Sequence, residues 1–130
     1  MDWLREVNFN EQGLIPVVAQ DAASGRLLMV AWMNHEALQL TVKTKQVVYW
    51  SRSRKKLWKK GEQSGHIQRL HSIHLDCDAD VLLVKVEQVG GAACHTGRES
   101  CFFRELQEVQ GQLSWQITDD VLVDPKELYS

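Results

Sequence analysis

No run of apolar residues in this 130-residue chain approaches the length needed to cross a bilayer. Its start, Met1-Asp2-Trp3-Leu4-Arg5-Glu6, is not a secretory signal, so neither a membrane span nor export is expected. Charge of one sign is not in excess: 15 basic and 17 acidic side chains leave a net charge of −2, which argues against wholesale coating of nucleic acid. Internal repeats, low-complexity tracts and linkers are missing too, so residues 1–130 read as a single domain. Cysteine is scarce. An odd number, three, cannot all pair within one chain, and reduced thiols in a cytoplasmic protein are the expectation. What remains, 44% hydrophobic and 25% charged, is ordinary for a globular protein.

The local patterns are mostly those of strands. Leu14–Gln20 and Arg26–Trp32 are apolar and β-prone, and the Asp21–Gly25 segment between them reads as a hairpin loop. Asn34 reads as the N-cap of a helix over His35–Lys45, with Ala37, Leu38, Thr41 and Val42 on one side. Val47–Arg52 is the next strand, followed by a basic, turn-rich loop through Gly65. Ile67–Val89 alternates in two phases, and a bend or bulge near Ala79–Leu82 would reconcile them. After a loop at Gly90-Gly91, Cys101–Val109 and Leu113–Ile117 form a closing hairpin around Gln110-Gly111. The fold class is therefore α+β, β-dominated, with one main helix. Trp3, Trp32 and Trp115 carry no functional context and are assigned to the core.

All the cysteines fall in or between Asp76-Cys77-Asp78-Ala79-Asp80 and Ala93–Cys101. In extended backbone Asp76, Asp78 and Asp80 share one face, with Cys77 on the other. Hard oxygen ligands suit Mg²⁺ or Ca²⁺, whereas thiolates suit Zn²⁺. A calcium loop is not matched, because Val81 stands where that pattern needs glycine. Clustered aspartates can be a solvated acidic edge, and Cys77, on the apolar parity, can be a small buried hydrophobe. Three cysteines in this setting nevertheless favour metal. His74 and His95 adjoin these segments as candidates for proton transfer, His95 alternatively orienting Cys94.

Arg52, Arg54, Lys55, Lys56, Lys59 and Lys60 concentrate six of the 15 basic side chains in one short stretch. Basic heads with Ser64 can hold phosphate, and Trp50 and Trp58 can stack on a purine. A charge run is otherwise a solvated surface.

These pieces together resemble the phosphoribosyl-AMP cyclohydrolases of histidine biosynthesis. The likeness runs through Gly13–Pro16, Met33–Leu38, Tyr49–Arg54, Leu57–His66, Asp76–Asp80 and Ala93–Phe102, covering roughly residues 13–104 in order. It implies a hydrolase that opens the purine ring of 1-(5-phosphoribosyl)-AMP: water adds at C6, and the N1–C6 bond then breaks. It also implies Zn²⁺ on Cys77, Cys94 and Cys101, Mg²⁺ on Asp76, Asp78 and Asp80, and an intertwined homodimer whose zinc ligands come from both chains. Many relatives fuse a pyrophosphohydrolase domain after this one, and here the preceding step is expected of a separate protein. The substrate-binding set is then Trp50, Arg52, Arg54, Trp58, Lys60 and Ser64, for a small nucleotide, with neither nucleic acid nor membrane as partner.

Three other readings compete. A zinc nucleoside deaminase lacks support, since no cysteines are spaced C-x-x-C. A zinc-stabilised RNA-binding module would leave the three aspartates unexplained and predicts steep salt dependence. A metal-free dimer with fortuitous cysteines would contain no zinc as purified.

Overall fold

The computed structural model describes residues 2–128. Alternating apolar residues dictate its central sheet. β1 (Ile15–Asp21) and β6 (Leu82–Gln88) lie side by side in parallel, and each buries every second residue. Ile15, Val17 and Ala19 face the same core as Leu82, Val84 and Val86. Fully burying a Val or Ile is worth about 1.5–3 kcal/mol, so this shared face fixes the register. β2 (Leu27–Met33) pairs antiparallel with β1, and β5 (Gln68–Leu75) pairs antiparallel with β6, giving the order β2-β1-β6-β5. The result is β-dominated α+β with one helix, as expected.

That helix, α1 (His35–Thr44), begins where expected: Asn34 Oδ1 accepts the Ala37 amide at 2.8 Å. It ends at Lys45, which adopts the left-handed conformation with φ 63°. Ala37, Leu38 and Thr41 face the core. The Thr41 hydroxyl donates to Ala37 O (2.8 Å) and accepts from Val48 N (2.9 Å), tying α1 to β3 (Val48–Ser51).

Three expectations need correction. The basic stretch is not all loop, because β4 (Lys56–Lys59) pairs with β3, setting Trp58 opposite Tyr49. Leu57 and Trp58 have strand propensity and a partner within reach, and the charges lie around them. The phase change near Ala79–Leu82 is a complete turn between two strands rather than a bend. Asp76 Oδ1 accepts the amides of Asp80 (2.9 Å) and Val81 (3.1 Å), and this local bonding outcompetes the ladder. The core assignment of the tryptophans also fails. Trp115 is 65% and Trp3 44% exposed, and Trp32 is half-buried beneath the Arg52 guanidinium. Trp115 sits on the hairpin of β7 (Arg104–Val109) and β8 (Gln112–Ile117), a separate two-stranded sheet on which no further layer packs among the described residues.

A polar chain crosses the core. The buried Tyr49 hydroxyl donates to Gln68 Oε1 at 2.6 Å, and Gln68 Nε2 reaches Gln88 Oε1 at 2.9 Å. Burial pushes the Tyr49 phenol well above its usual range, so it remains a protonated donor. Tyr49→Phe should cost about 1–3 kcal/mol, because Gln68 Oε1 is left without its partner. An unchanged urea midpoint would contradict this.

Candidate active site

The loop between β6 and β7 folds back on itself: Ala93 N donates to Glu99 O and Cys94 N to Arg98 O, each at 3.1 Å. Gly97 turns the loop at φ +85°, where a side chain would overlap the Val123 carbonyl. Arg98 Nε donates to Asp119 O at 2.9 Å, and Arg26 pairs with both Glu99 and Asp119. The following residues are clamped to the edge strand β2. Cys101 N donates to Leu28 O (2.7 Å), and the buried Ser100 hydroxyl donates to Leu27 O (2.6 Å) while accepting from Phe102 N (2.9 Å). The two cysteines of this loop are thereby brought together.

They share a cavity of about 130 Å³ whose wall also includes Trp58, Lys60, Ser64 and His95. Cys94 is buried, and its sulfur accepts the Thr96 hydroxyl at 3.1 Å. Cys101 as a residue is exposed, yet its sulfur turns in against Cys94. Burial pushes the Cys101 thiol up to about 12, with Cys94 adding to the rise and Lys60 opposing it. Lys60 is itself buried and donates to Ala93 O at 2.7 Å. Two polar atoms on this wall, Trp58 Nε1 and His66 Nδ1, are buried without a hydrogen-bond partner. Such atoms are uncommon, though Gln46 Oε1, away from this wall, is a third.

The second constellation forms in the β5–β6 turn. One carboxylate oxygen from each of Asp76, Asp78 and Asp80 lies within 4.8 Å of the others, all exposed, a group that could hold a metal ion. Partial desolvation, then the charges of Asp76 and Asp78, raise the Asp80 carboxyl above its ordinary value. The expected geometry is corrected here: the turn, not strand alternation, collects these carboxylates. Cys77 is likewise not on an apolar face. It is exposed, and its thiol donates to Asp78 Oδ1 at 3.0 Å, the main cause of its raised pKa.

One chain therefore joins two of its three sulfurs. Gln68, at the start of β5, contacts Met29 on the cavity wall, whereas Cys77 follows the far end of that strand. Eight residues of strand span roughly 23 Å. His74 stays with the turn, its Nε2 2.9 Å from Ser72 Oγ, while His95 stands at the cavity. Of the expected substrate-binding set, Trp58, Lys60 and Ser64 reach the cavity. Arg54 lines an adjoining depression of about 210 Å³ together with Trp58, and Arg52 lies 4.6 Å over the Trp32 ring. Trp50, half-buried on β3, lines neither. Met29 is not singled out by the sequence reading, and His66 enters it as the last residue of the Leu57–His66 stretch without an assigned role. His66 ends the glycine-framed Gly61–Gly65 run, the one signal that pointed to it.

Comparison with known proteins matches these residues to one family. The family model described as Phosphoribosyl-AMP cyclohydrolase matches residues 29–103, which contain both constellations. The chain is 56% identical over its full length to the phosphoribosyl-AMP cyclohydrolase of Stutzerimonas stutzeri, covering 96% of that protein. It is 58% identical to that of Pseudomonas syringae pv. tomato, over 98% of this chain and 95% of the relative. Against that of Nitrosomonas eutropha the identity is 59%, over 99% and 97%. The chain belongs to the phosphoribosyl-AMP cyclohydrolase family, hydrolases that act on a cyclic amidine.

Proposed function

We propose that this protein is a cytoplasmic, metal-dependent cyclohydrolase of histidine biosynthesis that opens the purine ring of 1-(5-phosphoribosyl)-AMP at the N1–C6 bond. Family membership supports the reaction. The observation that carries the site is the pairing of Cys94 and Cys101 on a cavity beside His95 and Lys60.

The donor set fits zinc: two sulfurs converge in each chain, and Cys77 is carried on an exposed turn that can reach another copy. We infer a homodimer in which Cys77 of one chain completes the pair Cys94–Cys101 of the other. Exposed apolar side chains on the β7–β8 hairpin, Leu113, Trp115 and Ile117 among them, favour such an association. Zinc held there would supply Lewis acidity that makes a water nucleophilic at neutral pH.

The chain's own residues do the rest. Oxygen from water bonds to C6, the N1–C6 bond breaks with its electron pair going to N1, and a proton must reach that nitrogen. His95, exposed at the cavity, is placed to carry it. His74, next to the turn of Cys77, would arrive with the second chain. Trp58, on the cavity wall, flanks the base, whereas Trp50, paired with Leu57 across the β3–β4 ribbon, faces away from it. Arg52, Arg54 and Ser64 meet the phosphates. Asp76, Asp78 and Asp80 would hold Mg²⁺, which would supply positive charge to neutralise a substrate phosphate.

The test is turnover of phosphoribosyl-AMP with and without a strong chelator. Ring opening should disappear on chelation and return with zinc. Undiminished turnover by zinc-stripped protein would end this reading.

A further inference from the structure

Lys60 is the one Lys, Arg, Asp or Glu among the buried described residues, at 8% exposure. Taking an ammonium out of water costs several kcal/mol unless an anion compensates. The ion pairs among the described residues do not include it. Its hydrogen bond goes to a neutral group, the Ala93 carbonyl at 2.7 Å, and the Trp58 ring lies 5.4 Å away. No Asp or Glu lines the cavity it faces. The groups there able to become anionic are the sulfurs of Cys94 and Cys101.

The geometry points to Lys60 as the buried counter-charge and positioning residue of the cysteine centre, rather than a phosphate contact. This rests on the reading of Cys94 and Cys101 as zinc ligands. Three thiolates around Zn²⁺ leave the complex net negative, and a fixed ammonium offsets that charge where water cannot. Its bond to Ala93 O also braces the residue next to Cys94, as second-sphere groups brace ligands elsewhere. The exposed heads of Arg54, Lys55 and Lys56 lack such restraint and are free to meet phosphate.

The experiment measures zinc affinity without substrate, by competition with a chromophoric chelator. Lys60→Met should bind zinc ~10–100-fold more weakly than wild type. Arg54→Gln should bind zinc normally while raising KM. Lys60→Gln keeps a hydrogen-bond donor without the charge; it should lose zinc affinity similarly, and it serves if the Met variant does not fold. Wild-type zinc affinity in either folded Lys60 variant, with only KM raised, would overturn the counter-charge role. Wild-type protein that takes up no zinc at all would instead overturn the underlying ligand assignment, and this role with it.

Discussion

Cys94→Ser is expected to abolish ring opening and zinc binding together while leaving the fold in place. The serine hydroxyl is no larger than the thiol, and the loop is held by backbone bonds from Ala93 and Cys94 rather than by the sulfur. What changes is the donor: a soft sulfur, paired with Cys101 in the cavity, gives way to an oxygen that zinc holds poorly at neutral pH. Changing a residue behind a metal ligand costs ~10–100-fold, and losing the ligand itself should lower turnover by at least ~1,000-fold. Metal analysis, turnover and a thermal melt on one preparation provide the check. A zinc-free Cys94→Ser protein with full turnover would refute the thiolate assignment, whereas a collapsed melt would show that the sulfur is structural.

Gly97→Ala should produce the largest loss of stability. At φ +85° an L side chain is strained, and the added methyl would run into the carbonyl of Val123 and the side chain of Val121. Both Leu122 N (2.8 Å) and Val123 N (3.1 Å) donate to Gly97 O, so the C-terminal segment is docked on the cysteine loop through this residue. Left-handed strain costs about 1–2 kcal/mol, and displacing backbone from backbone adds to it, for a total of about 3 kcal/mol or more. In a domain of this size the melting point should fall by roughly 10 °C. Protease cleavage within residues 119–128 should accelerate as the segment lifts off. A variant that melts with wild type would show that the segment is not packed on Gly97.

Much of the architecture was legible residue by residue. Asn34 announced the start of α1, the Asp21–Gly25 loop separated two strands that do pair, and Gln110-Gly111 turned the last hairpin. Each of these rests on side chains within a few positions of one another, so a linear reading reaches them. The aspartates of the β5–β6 turn show how such a reading can be right for the wrong reason. Their clustering was expected from strand alternation, yet it comes from Asp76 capping the amides of Asp80 and Val81. Trp115 was misjudged because hydrophobicity says that a side chain should be covered without saying by what.

By itself, then, the sequence determined the β-dominated fold class, the identity of the cysteines and aspartates on which the chemistry is proposed to rest, and the family to which the chain belongs. Only the tertiary structure decided which of those residues meet. Cys94 and Cys101 converge because Ser100 and Cys101 are bonded to Leu27 and Leu28, more than seventy positions earlier. Cys77 is kept away by the length of β5, and Lys60, one basic residue in a run of them, is drawn inside by the carbonyl of Ala93. Contacts between distant positions depend on the whole path of the chain, set by burial of the shared β1–β6 face, and no local pattern encodes that path.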